Sequence, residues 1–215
     1  MTEDVVMEKQ DVNELKAIME NPNINGFVSY QEQYMIFDTL LSSGINPFGS
    51  SVFHYGCGNG EFVRYAFSKL TNEQRAKTDI VNFLGYDERQ EVITAAKTIY
   101  ENINNVVFTT EFNLENESYD WVIAPHYFIY NNPDSENYEQ DVLDSIKSLY
   151  DVCKYGTLFT MLKETSNLSE DEKESVYSPN RVDFYKSLLS ITDNITIVDN
   201  YSDTEYTVFL HKIAN

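Results

Sequence analysis

Three alternating glycines, Gly56, Gly58 and Gly60, lie between a short apolar run, Ser51 to Tyr55, and a helix-periodic run through Phe62, Val63, Tyr65, Ala66, Phe67 and Leu70. Glycine lets a backbone turn tightly and lets a ligand approach with no Cβ in the way. In an α/β sheet the first strand-to-helix turn is the usual place for such a ligand. The spacing narrows its chemistry. A dinucleotide fingerprint puts its third glycine where this chain has Glu61. A carboxylate there would face a pyrophosphate with like charge, at a helix start that should favour an anion. A Walker-type Gly-Lys-Ser/Thr is absent from the chain. The loop therefore suits a nucleoside-type ligand without phosphates.

Asp87 ends the next apolar run, Leu84-Gly85-Tyr86-Asp87. A carboxylate at that strand end can accept hydrogen bonds from both hydroxyls of a ribose and repels a 2′-phosphate. The alternative role is an N-cap for the helix that follows. One strand further on, Thr110-Glu111-Phe112 places a polar and an aromatic side chain where they can bracket the edge and face of an adenine. A plain loop glutamate and a packed phenylalanine account for the same two residues equally well.

These residues need a frame, and the apolar periodicity supplies one. Helices are expected over Val12 to Met19, Gln31 to Ser42, Phe62 to Leu70, Glu88 to Glu101, Tyr138 to Val152 and Arg181 to Leu189. Strands are expected over 51–55, 80–86, 106–108, 119–124 and 156–162, so strand and helix alternate as in a parallel sheet covered on both faces. The end departs from this rhythm. Ile195 to Val198 and Tyr206 to His211 flank too few residues for a crossover helix and must pair as an antiparallel hairpin. No repeat or linker divides the chain, and the longest polar loops are Asn131 to Asn137 and Glu164 to Ser178.

Composition excludes several functions. The formal charge is −20, from 35 acidic and 15 basic residues, and no two basic residues are adjacent. That argues against a nucleic-acid partner, which requires clustered Lys and Arg, and against an anionic membrane surface. The 16 Tyr and 13 Phe exclude wholesale disorder. Cys57 and Cys153 form neither a disulfide framework nor a metal-ligand pair. With no apolar leader or membrane span in the sequence, the expectation is a cytoplasmic protein.

The run Val52-Phe53-His54-Tyr55-Gly56-Cys57-Gly58-Asn59-Gly60-Glu61-Phe62 resembles the first motif of class I S-adenosylmethionine-dependent methyltransferases. Gly85-Tyr86-Asp87, the Glu111 loop and Tyr119-Asp120-Trp121-Val122-Ile123-Ala124 follow in the order of that family's later motifs. The resemblance covers Ser51 to Asn215. It implies a Rossmann-like fold: a doubly wound, mostly parallel seven-stranded sheet, helices on both faces and an antiparallel C-terminal edge hairpin. It also implies S-adenosyl-L-methionine as cofactor, contacted by Gly56, Gly58, Gly60, Asp87, Glu111, Phe112 and Ala124. Residues 1–50 are then an N-terminal helical extension or lid, and 51–215 the cofactor-binding domain. In the lid, Gly26 to Gln33 resembles a helix that some small members fold over the cofactor, which implies contacts from Tyr30 and Gln33; a plain packing helix is the simpler reading.

One departure stands out. The family carries an acid where this chain has His54, and a neutral imidazole cannot supply that negative charge. Either His54 substitutes for it, or Glu61 assists, or cofactor binding has been lost. Methyl transfer is an in-line displacement that mainly requires alignment, with a general base where the acceptor must lose a proton. The family's acceptor side falls here at Ala124-Pro125-His126-Tyr127-Phe128, which makes His126 the candidate base and Tyr127 a candidate for orienting the acceptor. Residues capping the sheet end are the simpler alternative for each. Adenine-amino methyltransferases of nucleic acid carry Asp/Asn-Pro-Pro-Tyr at this strand end, and only Pro125 and Tyr127 match. The expectation is a small-molecule methyltransferase, with a methyltransferase-like binding protein lacking catalysis as the alternative.

Overall fold

The computed structural model describes residues 21–25, 27, 29–42, 45, 49–71, 82–115, 117–132, 134–164 and 175–212. The helix expected over 12–19 lies outside these residues, as do Gly26, Val28, Ile80, Val81 and most of the second polar loop. A 3-10 turn, Pro22–Asn25, precedes α1 (Tyr30–Ser42), and the chain continues through β1 (Ser51–Tyr55), α2 (Glu61–Ser68), β2 (Asn82–Tyr86), α3 (Gln90–Ile99), β3 (Val106–Thr109) and β4 (Tyr119–Ala124). It ends in α4 (Tyr138–Asp151), β5 (Cys153–Leu162), α5 (Arg181–Leu188), β6 (Ile195–Val198) and β7 (Glu205–His211).

The seven strands form one sheet in the order β3-β2-β1-β4-β5-β7-β6. The neighbours from β3 across to β5 pair in parallel, and β7 pairs antiparallel with both β5 and β6. Six strands thus run one way and β7 runs against them, inserted between β5 and the edge strand β6. The strand order reverses between β1 and β4, so the carboxyl ends of β1, β2 and β4 open onto the switch point where open α/β sheets hold ligands.

Strand alternation divides the core between the two faces. Val52 of β1 and Ile123 of β4 point toward Ile36, Phe37 and Leu40 of α1, Phe62 of α2 and Ile93 of α3. Phe53, Val122 and Ala124 point the opposite way, toward Val142, Ile146 and Leu149 of α4 and Phe184 and Leu188 of α5. Strands covered on both faces need apolar side chains in both directions, which is why the central strands read as nearly continuous apolar runs. Burying one Leu or Phe of this kind contributes about 1.5–3 kcal/mol. Helices α4 and α5 begin at Asn137 and Asn180, whose side chains accept backbone N–H groups of the first turn. Among the described residues no helix is long and apolar enough to cross a membrane.

The starts of the two central strands are locked side by side. Asp120 Oδ2 accepts the Ser51 N–H at 2.8 Å and its hydroxyl at 3.2 Å, and Ser51 Oγ accepts the Asp120 N–H at 2.9 Å. Asp120→Ala removes two of these bonds from a half-buried site, and a loss of about 1–3 kcal/mol is expected. Urea unfolding checks this: the midpoint should fall while the slope stays unchanged.

Candidate functional site

All three loop glycines have left-handed backbones, with φ of 74° at Gly56, 55° at Gly58 and 82° at Gly60. The turn is stitched to β2 by the Cys57 N–H, which donates to the Tyr86 carbonyl at 2.8 Å, and by the Gly58 N–H, which donates to Asp87 Oδ2 at 2.9 Å. Two glycines also make room for the protein's own rings. A Cβ on Gly60 would lie 2.7 Å from atoms of Phe108 and Tyr100, and one on Gly56 would collide with Tyr127. Cys57 is buried under the turn, and burial, reinforced by the charge of Asp87, pushes its thiol well above its ordinary pKa.

Asp87 is 4% exposed and lines a cleft of about 620 Å³ at the carboxyl ends of β1, β2 and β4. Its Oδ1 accepts the Arg89 N–H at 3.1 Å and Nε at 2.8 Å, while Oδ2 accepts Gly58 N–H at 2.9 Å and an Arg89 terminal N–H at 3.0 Å. Burial alone would raise this carboxyl, but the hydrogen bonds and charge of Arg89 outweigh it and hold the pKa below the ordinary value. A carboxylate has about four acceptor positions, and these four bonds fill them. Arg89 itself is the N-cap of α3, and its own side chain makes no cap hydrogen bond.

The other half of the cleft is built from the segment after β4. His126 has φ 62°, uncommon for a residue with a side chain, and its N–H donates to Thr160 Oγ1 at 2.9 Å. Its ring packs on Phe27 with centroids 4.2 Å apart. Nε2 of His126 is hydrogen-bonded to Oε1 of Glu205, the first residue of β7, and the two side chains are only 6% and 2% exposed. Nδ1 of His126 and Oε2 of Glu205 have no hydrogen-bond partner among the described residues. Beside this pair, Tyr127 lies against Gly56 and meets the Tyr55 ring at 4.3 Å. Burial and then a hydrogen bond to Tyr55 push the Tyr127 hydroxyl well up, so it stays protonated and serves as a donor rather than a base.

The cleft thus gathers Gly56, Asp87, His126 and Tyr127 of the residues read from the sequence. The others sit around it in different settings. Ala124 is fully buried at the end of β4, paired with Phe159 of β5. Phe112 packs on Tyr86 at 4.3 Å and Tyr55 at 5.4 Å, and Glu111 is exposed next to it. Tyr30 begins α1 with its ring 5.7 Å from that of Tyr34. Gln33 is 1% exposed, and its carboxamide oxygen lacks a partner among the described residues. His54 is in the core, edge-on to Phe62 at 5.7 Å and Phe83 at 6.0 Å. Burial lowers its pKa to about 3 against the opposing charge of Asp87, so it is neutral near pH 7. Glu61 is engaged too, taking Arg64 Nε at 2.8 and 2.9 Å and the Tyr34 hydroxyl at 3.1 Å.

Sequence reading missed Glu205, Arg89 as the partner of Asp87, and Phe27 over His126. Only Glu205 left a usable signal: a carboxylate opening the apolar run Tyr206 to His211 calls for a buried partner.

No protein-family model matches the chain, and no curated protein does. Solved structures do. Magnesium protoporphyrin IX methyltransferase from Synechocystis, crystallised with SAH, superposes with a TM-score of 0.61 at 15% identity over 95% of each chain. A SAM-dependent methyltransferase from Aquifex aeolicus gives 0.56 at 16% identity, covering 94% of this chain and 98% of its own. One from Clostridium acetobutylicum gives 0.57 at 13% identity, covering 95% and 100%. The fold is therefore the one that class I S-adenosylmethionine-dependent methyltransferases share, as the sheet order already indicates.

Two stability effects follow from the turn. Gly56→Ala places a Cβ both in a left-handed backbone, at about 1–2 kcal/mol, and against Tyr127. In a Tyr127→Ala background only the backbone part should remain, so the double-mutant cycle should show a coupling of about 1 kcal/mol in chemical denaturation. For His54 the folded pKa is depressed, so its stabilising effect is complete above pH 6.5 and is lost as pH falls toward 3. The slope it adds approaches about 1.4 kcal/mol per pH unit in that window. His54→Leu should flatten the stability profile between pH 6.5 and 3, whereas an unchanged profile refutes the buried neutral imidazole.

Proposed function

We propose that this chain is an S-adenosylmethionine-dependent methyltransferase that acts on a small-molecule acceptor in the cytoplasm. The observation that carries the reading is one cleft lined by Gly56 of the glycine turn, by Asp87 and by His126, which Glu205 holds from behind, at the switch point of this sheet. On this reading Gly56 and Gly58 with Asp87 serve the ribose end, Glu111 and Phe112 the base, and the buried Gln33 oxygen, which has no hydrogen-bond partner among the described residues, an ammonium. Tyr30 and Ala124 are assigned to the same cofactor on this reading, and Gly60 holds the turn through its carbonyl, which accepts the Tyr100 hydroxyl at 2.8 Å. When bound, S-adenosyl-L-methionine supplies a sulfonium methyl group to a nucleophile. The chain's part is to exclude water, hold the acceptor between Tyr127 and His126, and take up a proton where the acceptor carries one. The net charge of −20 favours a sulfonium cation and disfavours nucleic acid as acceptor.

A second reading, a methyltransferase-like binding protein without catalysis, draws on the saturation of Asp87 by Arg89 and the neutral His54. Calorimetry with S-adenosylhomocysteine addresses the cofactor assignment. Binding is expected, and Asp87→Ala should weaken it by roughly tenfold or more, about 1.4 kcal/mol. A ribose diol has to displace Arg89 from Asp87, so Arg89→Met should tighten binding severalfold. No heat at millimolar ligand overturns the enzyme reading.

A further inference from the structure

We propose that the acceptor is a small amine that enters the cleft as its ammonium form, and that Glu205 positions His126 to take the proton its nitrogen must lose. The inference rests on the methyltransferase reading above and deepens it.

The first support is the single orientation in which His126 is held. Its backbone is tied to Thr160, its ring face is covered by Phe27 at 4.2 Å, and Nε2 donates to Glu205. A hydrogen-bonded carboxylate at one ring nitrogen sets the tautomer and leaves the other nitrogen as the proton acceptor. Here that nitrogen is Nδ1, which is buried and has no partner among the described residues, in a residue that lines the cleft. Glu205 touches the imidazole rather than the cleft, so it is a positioning residue.

The second support is the cleft wall. Tyr55, Tyr127, Phe128, Tyr130 and Tyr138 line it, with the carboxylates of Glu88 and Asp141. Arg89 is the one Lys or Arg among the described lining residues, and Asp87 neutralises it. Neither acid has a salt bridge among the described residues, although Asp141 accepts the Ser135 hydroxyl, and aromatic side chains with acids attract a cation and repel a carboxylate or phosphate. A buried base is idle for a carboxylate acceptor, which has no proton to give up. An ammonium meets both features: the wall binds its charge, and the base frees its lone pair. In the balanced step the N–H proton goes to Nδ1 of His126, the nitrogen lone pair forms the N–C bond, and the S–C bonding pair stays on sulfur. His126 then returns its proton to water.

The test uses the whole chain loaded with S-adenosylhomocysteine and three probes: 2-phenylethylamine, 3-phenylpropionate and 4-ethylphenol. Saturation-transfer NMR should show the amine bound in preference to the other two, with its affinity lowered severalfold in Asp141→Asn. Long-range ¹H–¹⁵N spectra of the wild type should show the Nε2–H tautomer of the His126 imidazole. With labelled cofactor, methyl should appear on the amine. Glu205→Gln should lower kcat by about a hundredfold, with amine KM and S-adenosylhomocysteine affinity within twofold of wild type. Preferred binding of the carboxylate or phenol, a His126 protonated at Nδ1, or an unchanged kcat in Glu205→Gln overturns the proposal. If S-adenosylhomocysteine itself fails to bind the wild type, the methyltransferase reading falls first and takes this inference with it.

Discussion

The hydrogen bond from the Gly58 N–H to Asp87 holds the working end of this molecule together. It spans the gap between two parallel strands just beyond their last ladder bond, where the backbone would otherwise leave a buried donor unpaired. Because the acceptor is ionised, the bond is stronger than one to a neutral carbonyl. The turn, the start of α2 and the end of β2 are thereby tied to one another. Arg89 completes the arrangement by neutralising a carboxylate that burial alone would make costly.

A second tie links the opposite side of the cleft, and it depends on topology rather than on local sequence. Inserting β7 next to β5 brings Glu205 beside the segment that follows β4, 79 residues away along the chain. Thr160 on β5 holds the His126 backbone from the same side. The reversed strand thus does more than close the sheet, since it delivers a buried carboxylate to the imidazole that lines a cleft built by parallel strands. Two buried ionisable groups are tolerable there because each is the other's partner.

Much of the frame was legible from residue patterns. Apolar runs of strand length, amphipathic runs of helix length and the glycine cluster between β1 and α2 are local signals, and the strands lie where those signals placed them, with ends adjusted by one to three residues in β3, β5 and β7. The position of Asp87 at a strand end was legible for the same reason. The rest depends on contacts distant in sequence. Nothing near Gly56 announces that Tyr127 will lie against it, and nothing near His126 announces Glu205. Arg89 lies two residues from Asp87, yet its role in saturating the carboxylate requires a side-chain direction that spacing alone does not fix. His54 is the instructive case: a polar residue at a motif position reads as chemistry, while its surroundings, Phe62 and Phe83, make it part of the core.

Cys57 gives the turn a built-in chronometer. Its sulfur is sealed beneath the loop and next to Gly85, and burial keeps it in the unreactive thiol form. A reagent in solution can reach it only during the brief intervals when the loop lifts away from β2. The pace at which the thiol is consumed therefore counts those openings, and anything that clasps the loop from outside must slow the count.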